Sequence, residues 1–391
     1  MNRDRIDSLV ESIFPQVLSH RLHLHAHPEL SFQEYETMNY VSNALTELGI
    51  RHDKEVGGTG VVGYITSPNS SEWIGLRADL DALPISEQND VPYRSKVPGV
   101  MHACGHDVHT SILLGTAAVL MQMRDELPVS VKLIFQPGEE VSPGGANYII
   151  DAGIMENPKL NAMVALHVYP EMEVGNVGIK PGLMMASSDE IRIEIEGKGG
   201  HGALPDKCIN PIAMAAEIIS QTPSLLSQHQ PKEVPTVLSY GYIEGLGAVN
   251  VIPSTCTLKG TFRTMNEEWR KSFFEHYESF LKEIEVRYGG VVKLHRVKGY
   301  PFLENDPLLT AKVEKNLKEH LGEDQVHPIP IRMTAEDFAF YAAYVPICFF
   351  RLGVGDPNKT VNHSVHHPKF DIHSDGLKVG VSSMVSIVMG Y

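Results

Sequence analysis

Residues 189–196 read DEIRIEIE, in which charged side chains alternate with isoleucine from Glu190 onward. A strand repeats every two residues, so this pattern sets one apolar row against a core and one charged row in water. The runs at 73–78 (WIGLRA), 129–136 (VSVKLIFQ), 161–166 (NAMVAL) and 345–352 (VPICFFRL) lack that alternation. They read as strands covered on both faces, as in a mainly parallel sheet packed between helices. Between them, 110–123 (TSILLGTAAVLMQM) is apolar around nearly its whole circumference and reads as a helix packed deep against that sheet. Two sheets of different character therefore share the chain. Downstream of 189–196 come a glycine-rich turn at 197–205 (GKGGHGALP), an apolar helix from Pro211 to about Gln221, and strands near 236–243 and 255–263. A charged helix at 267–287 and a strand at 291–298 follow. Strand, helix, strand, strand, helix, strand is a split βαβ module. The expected organisation is an α/β domain made of 1–184 and 301–391, with a ferredoxin-like α+β domain inserted at 185–300.

The length of 391 residues agrees with more than one domain, at roughly 150 residues each. A hydrophobic share of 42% and a charged share of 21% are those of a globular chain, not of a disordered or fibrous one. With 33 Lys plus Arg against 48 Asp plus Glu, the net charge of −15 leaves no basic surface for a phosphate backbone, so nucleic acid is excluded as a partner. Four cysteines, Cys104, Cys208, Cys256 and Cys348, are too few and too scattered for a disulfide framework. Residues 1–15 mix Arg3, Asp4, Arg5, Asp7 and Glu11 with Ile6, Leu9, Val10, Ile13 and Phe14, which reads as an amphipathic helix and not as a signal peptide. No apolar stretch is long enough to span a bilayer. A cytoplasmic protein with no membrane partner is the expectation.

Chemistry gathers where the buried strands end. The strand at 73–78 runs into Asp79 and Asp81, that at 129–136 into Glu139 and Glu140, and that at 161–166 into His167. In open α/β sheets the carboxyl ends of strands line the ligand crevice. Just before the apolar helix, 101–110 (MHACGHDVHT) gathers Cys104, His106, Asp107 and His109. Thiolate, imidazole and carboxylate together suit a divalent transition metal, zinc above magnesium or calcium. The same segment also reads as an ordinary helix start, with Asp107 as cap, His102 and His109 as packed histidines and Cys104 inert. Two adjacent acids divide labour naturally: if Glu140 binds a cation, Glu139 can take a proton from a water whose pKa that cation lowers to about 7. With Cys104 and His106, the residues Glu140, His167 and His366 make a donor set large enough for two ions. His20, His23, His25 and His27 form another histidine run, but with no thiol and only Glu29 beside it they read as structural. In the inserted module, His201 stands among glycines where an imidazole can approach a ligand or merely occupy a turn. Asn250 and Arg263 sit at strand ends, and Arg263 is suited either to a carboxylate or to a surface ion pair.

These stretches resemble the dinuclear-metal amidohydrolases that include hippurate hydrolase, the plant indole-acetyl-amino-acid hydrolases and N-acetyldiaminopimelate deacetylase. The resemblance extends to the related aminoacylases and carboxypeptidases. It is carried by HAHPELSFQE (25–34), RADLDALPI (77–85), MHACGHDVHT (101–110), FQPGEE (135–140), LHVYP (166–170) and GKGGHGALP (197–205). NVIP (250–253), GTFRT (260–264), AEDF (335–338) and HHPKF (366–370) continue it nearly to the end. It implies a zinc-peptidase-like catalytic domain with an inserted lid and dimerisation domain. It further implies Cys104, His106, Glu140, His167 and His366 as ligands of two divalent ions, zinc first, with manganese, cobalt and nickel as alternatives. Glu139 is then the general base, Asp81 an aspartate supporting the metal centre, and His201 the group that stabilises the oxyanion. Asn250 and Arg263 fall at substrate-contacting positions. Asp79 stands where wider relatives carry a metal-binding histidine. Gly138 and Gly202 stand where many relatives carry alanine, and His367 adds an imidazole beside His366.

The implied activity is hydrolysis of the amide bond of an N-acyl-L-amino acid by a homodimer joined through the inserted domain, with a tetramer as the alternative assembly. Two other readings use the same residues: a metallo-carboxypeptidase or dipeptidase, and a metal-binding protein of this fold without catalysis. A closed structural zinc site would need no adjacent base.

Overall fold

The structure is a computed structural model describing residues 3–391. Met1 and Asn2, where the expected amphipathic helix begins, lie outside the described residues. That helix, Arg3–Ala26, carries on through Pro15 and ends two residues before Pro28. The chain divides into two compact units: Met1–Met184 with Glu304–Pro330 and Asp337–Tyr391, and Met185–Leu303 with Ile331–Glu336. The short stretch Ile331–Glu336 thus returns to the second unit, a detail that no periodicity announces.

In the first unit eight strands form one sheet, in the order Arg51–Val56, Gly60–Ile65, Ser130–Gln136, Trp73–Asp79, Ala162–Glu173, Ile347–Gly355, Val177–Ile179, Val326–Pro328. The four central strands are mutually parallel. Antiparallel pairs flank them on both sides, so the sheet is mixed around a parallel centre. The Arg51–Val56 edge strand is largely solvated, which is why RHDKEV carries no apolar signal. Parallel pairing puts the carboxyl ends of Trp73–Asp79, Ser130–Gln136 and Ala162–Glu173 on one edge of the sheet. Asp79 is in register with Gln136, and Arg77 with Ala165. The last of these strands runs well beyond Leu166, so His167 lies within it rather than after it.

The helix expected at 110–123 is His106–Gln122, and every residue from His106 to Leu120 is buried. It begins earlier than apolarity suggests because its polar first turn is paired inside the protein. Arg3–Ala26 and Asp375–Met389 both pack on it. They meet at Gly115, where an added Cβ would lie 2.7 Å from Val17 Cγ2 and 2.8 Å from Val381 Cγ2. Only glycine lets the three helices approach so closely.

In the second unit Thr236–Glu244, Thr255–Thr264, Asp189–Glu196 and Val291–Lys298 form an antiparallel sheet in that order. Helices Pro211–His229 and Glu267–Tyr288 bury its apolar row, with Ile191, Ile193, Ile195, Leu258 and Phe262 packed against Phe273, Tyr277 and Ile284. This is the ferredoxin-like order. Asp189 keeps the alternation of burial but puts a charge in the apolar row, where Arg270 and Arg296 both bind its carboxylate. A ribbon of Gly200–His201 with Val251–Ile252 lies apart from the main sheet. Among the described residues no helix is long and apolar enough to cross a membrane.

Gly115→Leu is expected to lower the melting temperature and to cost about 1–3 kcal/mol through overpacking at this helix junction. Calorimetry of the variant beside the parent protein checks it.

Candidate metal centre

The first unit brings all five expected donors together. The ligand atoms of Cys104, His106 and His167 all lie within 4.8 Å of one another, as do those of Cys104, Glu140 and His366 and those of His106, Glu139 and Glu140. His106 comes from the first turn of a helix and His167 from a strand, while Cys104, Glu139, Glu140 and His366 come from the loops between elements. Cys104 Sγ is 3.3 Å from His167 Nε2.

Ring hydrogen bonds aim the imidazoles. His167 Nδ1 donates to the Val168 carbonyl at 2.8 Å, which leaves Nε2 bare toward the thiol. His106 Nδ1 donates to Asp81 Oδ1 at 3.1 Å, which turns its Nε2 toward Glu140 Oε1, 3.9 Å away. This carboxylate–imidazole arrangement is the one that orients metal-binding histidines. His106 Nε2 and Glu140 Oε1 are buried without any hydrogen-bond partner. Leaving such atoms unsatisfied costs about 1–3 kcal/mol each, and a cation between them removes the cost. The donor set of thiol, imidazole and carboxylate therefore fits a divalent transition ion.

His366 Nε2 reaches to 3.2 Å from Glu140 Oε1, although its side chain is half exposed. Its backbone adopts φ of 65°, a left-handed conformation that a histidine holds at some cost, and its N–H donates to the Ala103 carbonyl at 2.7 Å. That bond ties the 366 loop to the Cys104 segment. His367 instead stacks on His363 and accepts the Lys369 N–H on Nδ1, so His366 is the histidine turned to the cluster.

The remaining polar residues of the segment support the centre. His109 Nδ1 donates to Asp79 Oδ1 at 2.6 Å while its Nε2 accepts the Val168 N–H at 3.0 Å. Both nitrogens are thereby committed. Asp107 does not cap its helix; its carboxylate binds His25 Nδ1 at 2.7 Å and Arg21 Nε at 3.2 Å. His25 thus lies buried between Asp107 and Glu87, and the N-terminal histidine run serves structure. Below Asp79, Arg77 binds its carboxylate and reaches Asp337 Oδ1 at 2.8 Å, and Gln136 Nε2 donates to both Asp337 oxygens. Arg77, Gln136 and Asp337 form a buried network under Asp79 that spacing and residue type did not single out. Their only local signal is polarity inside runs otherwise fit for a core.

The acids around the cluster govern the protonation of its thiol and imidazole. Burial pushes the Cys104 thiol well above its ordinary pKa, and Glu140, Glu139 and Asp79 push it further. Burial alone would lower His106, but Asp79 and Asp81 outweigh it and raise the imidazole to about 10. Both groups hold protons near neutrality that a metal must displace.

In the second unit His201 is exposed, and its Nδ1 accepts the Ala203 N–H at 3.1 Å, which places the ring proton on Nε2. Asn250 lies beside it, its carbonyl accepting the Gly202 N–H at 2.8 Å. The Asn250 backbone would stand 3.3 Å from a Cβ at position 202, so glycine suits this contact. Arg263 lies on the four-stranded sheet, where its Nε donates to Thr261 Oγ1 at 3.2 Å, and it lines an open groove with Tyr240, Tyr242 and Lys259.

Fold and donor cluster together define a metal-dependent hydrolase. Residues 75–390 match the Peptidase family M20/M25/M40, and the chain belongs to that family. It is 37% identical over 358 residues to an N-acetyl-L-cysteine deacetylase of Bacillus subtilis, which covers 91% of this chain and 83% of that protein. It is also 37% identical over 300 residues to an N-acyl-L-amino acid amidohydrolase of Geobacillus stearothermophilus, 77% of this chain and 80% of that one. Among solved structures, a dinuclear metal binding peptidase of the M20 family from Bacillus subtilis superposes with a TM-score of 0.82 at 32% identity, covering 97% of this chain and 98% of that one. The chain is an amidohydrolase of this family, and amide bonds are what it cleaves.

Metal uptake by the bare protein is expected to release roughly one to two protons per chain near pH 7 and to weaken as pH falls, because thiol and imidazolium must both deprotonate. Titration calorimetry with zinc, in buffers of different ionisation enthalpy, checks the sign and the count.

Proposed function

We propose that this enzyme hydrolyses N-acyl-L-amino acids, releasing the carboxylic acid and the free amino acid. The observation that carries the reading is Glu139, a buried carboxylate within 4.8 Å of the His106 and Glu140 donor atoms. A closed structural site has no use for such a group. The similarity to proteins named as deacetylases and N-acyl-amino-acid amidohydrolases supports the substrate class. Cys104, His106, Glu140, His167 and His366 hold two divalent ions in this reading, zinc first, with manganese, cobalt or nickel as alternatives. When bound, such ions supply Lewis-acid polarisation of the acyl carbonyl and bring the pKa of water to about 7.

The chain's own residues supply the rest. The Glu139 carboxylate takes a proton from the attacking water and delivers it to the nitrogen of the leaving amine as the C–N bond breaks. His201, with its proton on Nε2, donates to the acyl oxygen as negative charge grows there. Arg263 holds the substrate carboxylate through its guanidinium, and Asn250 contacts the substrate. Asp81 keeps His106 in the tautomer that leaves Nε2 bare. We assign the inserted 185–300 module the roles of lid and dimer contact.

Glu139→Gln is expected to keep the metal content of the parent and to lower kcat roughly 100- to 10,000-fold, the worth of a general base. Unaltered turnover in that variant would remove Glu139 from the mechanism. Arg263→Met is expected to raise KM roughly 10- to 100-fold, as loss of a charged hydrogen bond does. A panel of N-acetyl, N-benzoyl and indole-acetyl amino acids with dipeptides, each with a chelator control, tests the substrate class. Preference for dipeptides would replace this reading by the peptidase one.

A further inference from the structure

The segment 25–34, HAHPELSFQE, has no part in the mechanism above, yet its second half lies against the loop that carries Glu139. Glu34 is buried, with Oε1 accepting the Gly138 N–H at 2.9 Å and Oε2 accepting the Thr59 hydroxyl. The carbonyl of the same Gly138 accepts the Gly145 N–H at 3.0 Å. The residue before Glu139 is therefore pinned through both of its backbone polar groups. The residue after it is pinned too, because the Glu140 N–H donates to Asp81 Oδ2 at 2.9 Å, and Ser31 Oγ donates to that same oxygen at 2.6 Å.

Phe32 completes the clamp. It adopts φ of 61°, and Gly138 likewise has φ of 61°. A Cβ on Gly138 would fall 2.4 Å from Phe32 Cζ, so the ring lies directly on the glycine. The ring also meets Tyr148 edge to face, at 5.4 Å between centroids. Non-glycine residues in the left-handed region cost of order 1–3 kcal/mol and persist only where the surroundings over-determine them. The glycine at 138 and the phenylalanine at 32 thus form one steric unit. Upstream, the Ala82 N–H donates to the Glu29 carbonyl at 2.8 Å, which fastens the segment beside Asp81.

We propose that Glu34 is a positioning residue for Glu139, holding the Gly138 peptide so that the neighbouring carboxylate is presented at one fixed place beside the donor cluster, with Ser31 and Phe32 as its partners in the clamp. The proposal rests on Glu139 being the base of the reaction. Near-attack geometry explains the size of the effect, since displacement of a reacting group by about 1 Å can cost roughly 100-fold in rate. Burial pushes the Glu34 pKa up, but the role needs only an acceptor oxygen at Oε1, which a neutral side chain also offers.

The test uses the metal-reconstituted full chain and the best substrate of the panel. Glu34→Ala is expected to lower kcat roughly 10- to 100-fold while KM and metal content stay within about twofold of the parent. Glu34→Gln, whose amide oxygen can accept the Gly138 N–H, is expected to recover most of that loss. In the Glu139→Gln background, Glu34→Ala is expected to add less than about twofold, because its effect passes through Glu139. Hydrogen exchange of the peptide spanning 135–145 is expected to quicken about tenfold or more in Glu34→Ala, with the rest of the chain unchanged. If the alanine variant does not fold, Glu34→Asp, which withdraws the carboxylate by one methylene, takes its place in every arm. Unchanged exchange in 135–145, or an equal loss of rate with and without Glu139, would overturn the proposal. Full turnover in Glu139→Gln alone would instead overturn the assigned base, and the exchange experiment would still decide whether Glu34 holds the loop.

Discussion

The Asp81 carboxylate is the joint on which the centre depends. One of its oxygens takes the Nδ1 proton of His106, and the other takes the hydroxyl of Ser31 and the backbone N–H of Glu140. A single buried anion thereby fixes the tautomer of one donor, the loop carrying another, and the segment that packs over that loop. Burial alone would raise its pKa, yet hydrogen bonds from His106 and its neighbours lower it, so it stays an acceptor.

A second layer of buried charge holds the strand Trp73–Asp79, which leads to Asp81, in place. Arg77 sits in the middle of a core strand and is tied to Asp79, Gln136 and Asp337 at once. A buried pair of this kind adds little net stability over apolar side chains of the same volume, but removing one partner leaves an uncompensated charge and costs about 3–5 kcal/mol. Its value here is geometric. Asp337 also accepts the Ala146 N–H at 3.0 Å, so the network reaches from the strand ends to the helix Gly145–Asp151 that follows the loop of Glu139 and Glu140.

The backbone contributes as directly as the side chains. His366 and Phe32 both hold left-handed conformations, one placing a donor and the other bracing the loop at Gly138. The two residues belong to distant parts of the chain. Strain of this kind is tolerated where several contacts specify one conformation, and both positions border the donor cluster.

Residue type and spacing were enough to find the two sheets, the split βαβ order of the second and a set of candidate donors, because period-two alternation and clustered thiol, imidazole and acid groups are local signals. Cys104, His106, Glu139, Glu140 and His167 all stood beside apolar runs, and the sheet brought them together at one edge. The early start of the His106–Gln122 helix escaped the pattern, because buried Asp107 and His109 look unsuited to a core until their partners are known. The Arg51–Val56 strand escaped it because an edge strand carries mixed polarity. Which histidines turn a ring nitrogen to the donor cluster and which have both nitrogens engaged elsewhere was decided by tertiary structure alone. His109 and His167 are equivalent by composition, yet both nitrogens of His109 are engaged while His167 keeps Nε2 bare, since what separates them is where Asp79, the Val168 N–H and the Val168 carbonyl fall in space. The partners of His109, Asp79 and Val168, lie 30 and 59 residues away along the chain, and no local pattern encodes that distance.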